Sequence, residues 1–321
     1  MPLPRISIII PVKPGGEVRA LEPLAALDYP ADLLEVLVAE GRRPSQQRNS
    51  AAESAVGEIL YFLDDDSMVA PDLLKRAVPH YADPLVAAVG GPSLTPDTDT
   101  LLQKAFGEAF ASPFGGGSVR NRYCQTGTAR ETGDNELILC NLSFRREVFL
   151  ACGGLDNRLY PNEENELMDR LRREGWLLIH NPLLAVRRSQ RTCYSAFVRQ
   201  LFTYGWGRGE QTRISGRISP ASLAPPFLLI YLALLPLLVL HNPVYTLPLL
   251  CYAVLVFTGA VLGVRHSGKA VMLPLLLLIL PTLHLAYGAG MIRGLVMPRN
   301  LKEVPVPTEV TITRVIGEPR K

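Results

Sequence analysis

The chain has 321 residues, 48% of them hydrophobic and 20% charged, but these averages conceal three unlike regions. Residues 1–186 carry 18 basic against 26 acidic side chains, whereas residues 187–217 carry seven arginines and one glutamate. Residues 223–292 carry only two charges, Arg265 and Lys269. This distribution excludes a uniform soluble domain, a disordered chain and a coiled coil, and the net charge of +3 is no sign of nucleic-acid binding.

The acidic region alternates short apolar runs with helical patterns. Four runs predict strands that are buried on both faces of a parallel sheet, at residues 6–11, 33–38, 58–63 and 85–89. Helices are predicted at residues 17–27, 45–56, 145–151 and 164–174, and from Pro71. Strands that alternate with helices predict a doubly wound α/β fold, which binds ligands at the carboxyl ends of its strands. Residues 93–135, which are rich in glycine and polar side chains, predict a mobile surface excursion.

Three apolar stretches at residues 223–240, 244–264 and 271–292 are each about as long as a bilayer-spanning helix of ~20 residues. The arginines before the first stretch place that side in the cytoplasm. No signal peptide is apparent, so the N-terminal domain is expected in the cytosol. Three full crossings would put the basic tail outside, against the charge rule, so a re-entrant third segment stays open. The basic residues of that tail include Arg293, Arg299, Lys302, Arg320 and Lys321.

Residues 194–204 have the pattern of a helix with apolar side chains, such as Phe197 and Leu201, on one side. This pattern is typical of a helix that lies in the membrane interface, with these side chains beside the acyl chains. A helix packed into a protein core gives the same pattern, so both interpretations remain.

Asp64, Asp65 and Asp66 follow the third predicted strand directly. Three adjacent like charges repel one another and need compensation. A divalent cation that holds a diphosphate supplies it, because Mg²⁺ is usually bound by one or two carboxylates together with phosphate oxygens. A solvated turn capped by Asp66 or Ser67 is the alternative.

Several segments resemble the family-2 glycosyltransferases, which have the GT-A fold, in their order and spacing. They are SQQRNSAA (45–52), GEILYFLDDD (57–66), CNLSFRR (140–146), GGLD (153–156) and PNEENELMDRLRREGW (161–176). Residues 199–208 and 281–290 resemble the membrane-anchored, succinoglycan-type glucosyltransferases more closely. The resemblance implies four parts: a cytosolic GT-A, Rossmann-like nucleotide-sugar-binding domain (1–190), an amphipathic interfacial linker (191–222), an all-α transmembrane region of about three helices (223–292) and a basic tail (293–321).

The resemblance also implies roles for single residues. Asp66 is expected to hold Mn²⁺ or Mg²⁺, with Asp64 on the metal or the ribose. Glu164 is expected to deprotonate the acceptor hydroxyl, which leads to inversion at the anomeric carbon. The residues expected to meet the donor nucleotide are Pro11, Val12, Glu40, Arg48, Asp64 and Asp65. Those expected at the donor sugar or acceptor are Gly90, Gly91, Asn141 and Glu163. Those expected at the diphosphate or a lipid phosphate are Arg199, Gln200 and Arg208.

Glu40 and Glu164 stand where the family usually has aspartate, and the QxxRW sequence of processive synthases is absent. The leading interpretation is an inverting, metal-dependent glycosyltransferase at the cytoplasmic membrane face. It would move a sugar from a UDP- or GDP-sugar to a polyprenyl-linked saccharide, for exopolysaccharide or cell-envelope glycan synthesis. One alternative is a polyprenyl-phosphate glycosyltransferase, and another is a non-catalytic membrane assembly subunit with a nucleotide-binding fold. Membrane lipids are expected partners, and nucleic acid is not.

Overall fold

The computed structural model describes residues 2–218, 220–299 and 308–316. The chain divides into two compact units. Unit 1 takes the described residues of Met1–Leu94, Asn121–Arg188 and Glu303–Lys321, and unit 2 takes those of Thr95–Arg120 and Ser189–Lys302.

Unit 1 is built on a mixed sheet of eight strands, and two further strands pair with each other. The strands in chain order are β1 (Ile6–Val12), β2 (Leu34–Glu40), β3 (Ile59–Leu63), β4 (Val86–Gly90), β5 (Ser93–Leu94), β6 (Arg130–Glu131), β7 (Asn141–Arg145), β8 (Leu177–His180), β9 (Val186–Arg187) and β10 (Thr311–Ile316). The large sheet has the order β10-β2-β1-β3-β7-β4-β8-β6. β1 is parallel to β2 and β3, whereas β7 is antiparallel to both β3 and β4.

The α-helices belong to both units. In chain order they are α1 (Leu21–Leu24), α2 (Pro44–Ser54), α3 (Leu73–Ala77), α4 (Leu101–Ala111), α5 (Arg146–Ala151), α6 (Glu163–Arg173), α7 (Tyr194–Ser215), α8 (Pro220–His241), α9 (Leu247–Ser267) and α10 (Leu273–Val296). In unit 1 the sheet is buried on both faces. Ile9 of β1 packs into one core, and Ile8 and Ile10 pack into the other. This arrangement explains why the first strand reads as a continuous apolar run.

The structure differs from the sequence-based expectation at residues 93–135. Instead of a surface excursion, this segment contains α4, which begins with a reciprocal cap between Thr100 and Gln103. Phe106 and Phe110 of α4 are buried. The cap satisfies backbone N–H groups at the helix start, and the buried rings fix the helix in place.

The C-terminal residues 308–316 also depart from a simple tail. β10 pairs antiparallel with β2, and Arg314 forms an ion pair of 2.5 Å with the buried carboxylate of Glu35 on β2. The backbone N–H of Thr308 donates to Gln46 at 3.1 Å. The predicted tail residues Lys302, Arg320 and Lys321 lie outside the described residues.

Unit 2 contains α4 and α7–α10. Three of its helical segments are long and apolar enough to span a membrane: Pro220–His241, Pro243–Ser267 and Ala270–Val296. For Phe197 and Leu201 of α7 the structure supports the second of the two interpretations, a helix packed into a protein core, and contradicts the first, in which they face acyl chains. Both side chains are buried in protein, and the Phe197 ring stacks on Phe106 at 3.9 Å between centroids.

Candidate active site

The first group of acids lies at the carboxyl end of β3, in the middle of the sheet. Asp64, Asp65 and Asp66 follow Leu63 directly, and Ser67 closes the turn by accepting a hydrogen bond from the Asp64 backbone N–H at 3.1 Å. Burial raises the pKa of Asp65, and the charges of Asp66 and Asp64 add to this effect. Three like charges are therefore held in one turn and require positive partners.

The second group of acids lies at the start of α6. Asn162 has the left-handed conformation, with φ of 80°, which asparagine tolerates better than most residues. Glu163 and Glu164 follow in the first helical turn, where the helix dipole favours negative charge. They are only 2% and 9% exposed. Burial raises the pKa of Glu163, and the adjacent Glu164 carboxylate raises it further.

Arg48 of α2 connects the two groups of acids. Its Nη2 lies 2.8 Å from Oδ1 of Asp64, and its Nη1 lies 3.5 Å from Oε1 of Glu163. The guanidinium is buried, so this charge is little screened by solvent. Arg48 was predicted to contact the nucleotide base. The contacts that the structure gives its guanidinium are with these two acids.

Two further arginines at these acids were not predicted. The Nε of Arg188 donates to Oδ1 of Asp66 at 2.7 Å, and its Nη2 lies 3.2 Å from Oδ2 of Asp64. Nη1 of Arg122 lies 3.9 Å from Oε1 of Glu164. Arg188 is the second residue of the arginine-rich stretch 187–217, which predicts only the side of the membrane, and Arg122 lies in the segment expected to be mobile. No spacing in the sequence relates either residue to its acid.

Arg122 is anchored by several groups. Its Nε donates to the backbone carbonyl of Asn135 at 2.9 Å, and its Nη2 donates to the backbone carbonyl of Asp134 and to the side chain of Asn165. Asn165 belongs to α6, so these bonds tie the loop before β7 to the helix that carries Glu164. The guanidinium is thereby fixed beside this carboxylate.

The predicted nucleotide residues Pro11, Val12 and Glu40 do come together. Val12 ends β1 and is the register partner of Glu40, which ends β2. Gln47 of α2 joins the two strand ends, because its Nε2 donates to the carbonyl of Val12 at 2.8 Å and to that of Ala39 at 2.6 Å. Glu40 is exposed. The carboxyl ends of β1 and β2 therefore offer both backbone groups and the accessible carboxylate of Glu40.

Asn141 does not fit the predicted contact with a sugar or acceptor. It is completely buried, its Oδ1 accepts from the Tyr61 hydroxyl at 2.7 Å, and its Nδ2 donates to the Pro92 carbonyl at 3.1 Å. An amide enclosed in this way links strands and does not face a ligand. Close packing also explains why positions 90 and 91 are glycines. A Cβ added to Gly90 would lie 2.7 Å from the Asn141 carbonyl oxygen, and one added to Gly91 would lie 2.6 Å from the Leu184 carbonyl oxygen.

Arg199, Gln200 and Arg208 lie on α7 in unit 2. Nine residues correspond to about two and a half helical turns, so Arg199 and Arg208 lie on opposite faces of α7. The amide of Gln200 donates to the hydroxyl of Tyr204 at 2.7 Å and accepts from Nε of Arg191 at 3.2 Å. One phosphate group therefore cannot be held by both of the predicted arginines from this helix.

The carboxylates at the end of β3 fit a divalent cation in part. Asp64 and Asp66 converge on one positive group, the guanidinium of Arg188, which shows that their oxygens can face a single cation. Across residues 2–218, 220–299 and 308–316, no group of three or more His, Cys, Asp or Glu side chains is arranged to hold a metal. Two carboxylates completed by phosphate oxygens are the usual Mg²⁺ arrangement, so the acids fit an ion that arrives with a diphosphate.

Comparison with known proteins decides the family. The chain matches the sequence model of glycosyl transferase family group 2 over residues 59–283. The chain belongs to glycosyl transferase family group 2. It is therefore a glycosyltransferase, and the predicted family, the α/β fold followed by apolar helices, and the enzyme class are confirmed.

Two individual proteins are similar to this glycosyltransferase. The glucosyl-dolichyl phosphate glucuronosyltransferase of Haloferax volcanii is 32% identical over 127 residues, a match that covers 36% of each chain. The chain thus spans only about a third of the relative that it matches in sequence. The mannosyltransferase PcManGT of Pyrobaculum calidifontis, solved in complex with GDP-Man and Mn²⁺, superposes with a TM-score of 0.56 at 18% identity, over 92% of this chain and 88% of that one. This second likeness concerns the fold.

Proposed function

We propose that this glycosyltransferase is an inverting, metal-dependent enzyme that moves a sugar from a nucleoside diphosphate to a lipid-linked saccharide at the cytoplasmic face of a membrane. The observation that carries the proposal is the position of Arg48. Its contacts of 2.8 Å to Asp64 and 3.5 Å to Glu163 connect the acids at the end of β3 with those at the start of α6. A donor-binding group and an acceptor-activating group are therefore neighbours in unit 1.

The proposed chemistry needs both acid groups. Asp66 and Asp64 are the residues that would hold Mn²⁺ or Mg²⁺, which neutralises the departing diphosphate when bound. Glu164 takes the proton of the acceptor hydroxyl while that oxygen forms its bond to the anomeric carbon. The bond from this carbon to the diphosphate breaks on the opposite side, so the configuration inverts. Glu163 is the more deeply buried of the two acids and is held by Arg48, so we assign it a positioning role.

The similar proteins support this choice of donor and acceptor. PcManGT is described with GDP-Man and Mn²⁺, in line with a nucleotide sugar and a divalent ion. The haloarchaeal relative is described as acting on glucosyl-dolichyl phosphate, a sugar already linked to a lipid. An acceptor of this kind presents a hydroxyl rather than a free phosphate and requires a base. This favours the lipid-linked saccharide over polyprenyl phosphate, and the carboxylate of Glu164 agrees with it.

The C-terminal strand bears on the orientation of the membrane part. β10 is hydrogen-bonded to β2, so both lie on one side of any membrane, and the chain between them crosses it an even number of times. Among the residues that the structure describes, three helices are long enough to cross, which is an odd number. We assign the crossings to a hairpin of α8 and α9, because the loop after α9 and the end of α10 then lie on one side of the membrane. Arg265, Lys269, Arg293 and Arg299 then all face the cytoplasm, as the positive-inside rule expects.

The catalytic proposal is tested with Glu164→Gln. In detergent with a divalent ion, transfer of sugar from a panel of UDP- and GDP-sugars to a lipid-linked saccharide should fall about 10²–10⁴-fold, the range for loss of a general base. Glu147→Gln, an exposed change in α5, should leave the rate unaltered. A Glu164→Gln enzyme that keeps its rate, or a wild type that prefers polyprenyl phosphate, contradicts the assignment. A wild type that releases no nucleotide from any donor supports a non-catalytic subunit.

The hairpin is tested by single cysteines in a chain whose native cysteines are replaced by serine. Asn242→Cys lies between α8 and α9, and Lys269→Cys lies between α9 and α10. A membrane-impermeant maleimide added to intact cells should label the first and spare the second. Labelling of the second alone reverses the orientation, and labelling of both or of neither contradicts a crossing hairpin.

A further inference from the structure

The backbone of β9 holds Arg188 over the acids at the end of β3. Arg187 and Met68 exchange two backbone hydrogen bonds of 2.8 Å, and Met68 comes two residues after Asp66. The backbone N–H of Arg188 donates to the carbonyl of Leu94 at 2.9 Å. Arg188 is therefore positioned by main-chain bonds on both sides, and its placement does not depend on its own side chain.

The guanidinium of Arg188 contacts both carboxylates that are proposed to hold the metal. Its Nε lies 2.7 Å from Oδ1 of Asp66, and its Nη2 lies 3.2 Å from Oδ2 of Asp64. The other oxygen of Asp64, Oδ1, lies 2.8 Å from Nη2 of Arg48. All three side chains at this contact, Arg188, Asp64 and Asp66, keep about a fifth to a quarter of their surface exposed, so the guanidinium is accessible from solvent.

A divalent cation and a guanidinium repel each other and compete for the same carboxylate oxygens. An ion that binds Asp66 therefore displaces Arg188 or shares its ligands at an electrostatic cost. A diphosphate removes this cost, because its oxygens accept hydrogen bonds from a guanidinium and ligate the ion at the same time.

We propose that Arg188 makes metal binding conditional on the diphosphate: its guanidinium holds Asp64 and Asp66 against a lone divalent ion and transfers to the diphosphate oxygens when ion and nucleotide bind together. The proposal rests on the proposed function, since it takes the metal and the nucleoside diphosphate from there. It adds the role of one residue, Arg188, and an order of affinities: the site binds the ion alone weakly and the ion together with the diphosphate tightly.

The test measures Mn²⁺ binding to the full chain in detergent by electron paramagnetic resonance, which needs no turnover. Arg188→Gln is compared with Arg187→Gln, a neighbouring and exposed arginine whose loss changes the net charge equally. We expect Arg188→Gln to bind Mn²⁺ alone at least about tenfold more tightly than either the wild type or Arg187→Gln, in line with removal of one close like charge. Saturating GDP or UDP should raise the Mn²⁺ affinity of the wild type more than that of Arg188→Gln.

Equal Mn²⁺ affinities in Arg188→Gln and Arg187→Gln overturn the proposal. If Arg188→Gln does not fold, the wild type still decides, because a Mn²⁺ affinity that is the same with and without GDP or UDP also overturns it. Failure of the proposed function is a separate result. It appears as absence of transfer and of nucleotide release from every donor, whatever the Mn²⁺ affinities are.

Discussion

The two acidic clusters of unit 1 look alike in sequence but differ in their electrostatic environment. The cluster at the end of β3 has partly exposed carboxylates and close guanidinium partners, with Arg48 at 2.8 Å from Asp64 and Arg188 at 2.7 Å from Asp66. The cluster at the start of α6 is more deeply buried. Its arginines are farther away, at 3.5 Å from Glu163 and 3.9 Å from Glu164.

This difference indicates which chemical function each cluster suits, binding of a cation or exchange of a proton. Carboxylates that are partly exposed and have close positive partners suit a site for a cation. In the α6 cluster, burial raises the pKa of Glu163, so this carboxyl group favours the proton more than a solvated one does. An acid that exchanges a proton near neutral pH needs that second environment. In line with the proposed function, the β3 cluster suits the binding of a cation, and the α6 cluster places Glu163, whose pKa is raised, next to the proposed base Glu164.

The largest expected effect comes from removing the charge of Asp66. Asp66→Asn takes away a carboxylate that contacts Arg188 and would ligate the ion, so transfer should fall more than about 10²-fold, beyond the loss seen for outer-shell partners of a metal. Asp32→Asn, an exposed change at the other end of the sheet, should leave transfer intact. Steady-state assays with Mn²⁺ check this prediction. A fully active Asp66→Asn enzyme would show that the β3 cluster does not bind the ion.

How far the sequence predicts these clusters differs from residue to residue. Asp64–Asp66 and Glu163–Glu164 were predicted because each lies within one motif. Arg122 and Arg188 were not predicted, because their partners are 42 and 122 residues away and only the fold joins them. Buried strands such as β1 were predicted from their apolar runs. β10 was not, because its alternating pattern is short and follows the apolar helices, far along the chain from β2.

The next effect concerns stability, through Arg48. Arg48→Met leaves Glu163 buried without a close cation. At a pH above the raised pKa of Glu163, which is about 8, this carboxylate is ionised, and loss of one partner of a buried ion pair costs about 3–5 kcal/mol. The free energy of unfolding from urea titrations in detergent measures this cost. Glu163→Gln in the same chain should restore part of the loss, because the buried site then no longer carries a negative charge.

A double variant that is as unstable as Arg48→Met alone would contradict this explanation. It would place the effect at Asp64, whose side chain is 20% exposed and better screened. The matched control is Arg43→Met, which removes an arginine next to the first residue of α2 without touching either acid cluster.

A smaller effect is expected at Glu35, a third buried acid with a short ion pair. Arg314→Met removes its partner on β10, while the N–H of Val56 still donates to the other oxygen at 3.1 Å. Because Arg314 is 26% exposed, the loss should be about 1–3 kcal/mol, the cost of one unsatisfied buried group. Thr313→Val, an exposed change on the same strand, is the control. Unchanged unfolding would mean that β10 does not stabilise the sheet edge through this pair.

The most discriminating effect is one of pH, because Glu163 and Glu136 have pKa shifts of opposite sign. Burial acts to raise the pKa of Glu136, but hydrogen bonds from Arg130, Asn121 and Thr132 outweigh it and lower the pKa to about 2. Its contribution to stability is therefore present above the unfolded value of about 4.3 and is lost as the pH falls towards 2. Glu136→Gln should unfold more readily than the wild type at pH 6, and the difference should shrink on acidification.

For Glu163 the folded-state pKa is raised, so its protonated form stabilises the fold and this contribution is lost as the pH rises above the unfolded value of about 4.3. Glu163→Gln stays neutral at every pH. Its stability relative to the wild type should therefore increase from pH 5 to pH 8, whereas that of Glu136→Gln should not. Urea midpoints of the three proteins across this range check both signs at once. Parallel curves for the two variants would mean that Glu163 in the α6 cluster is as well compensated as Glu136, which is paired with Arg130.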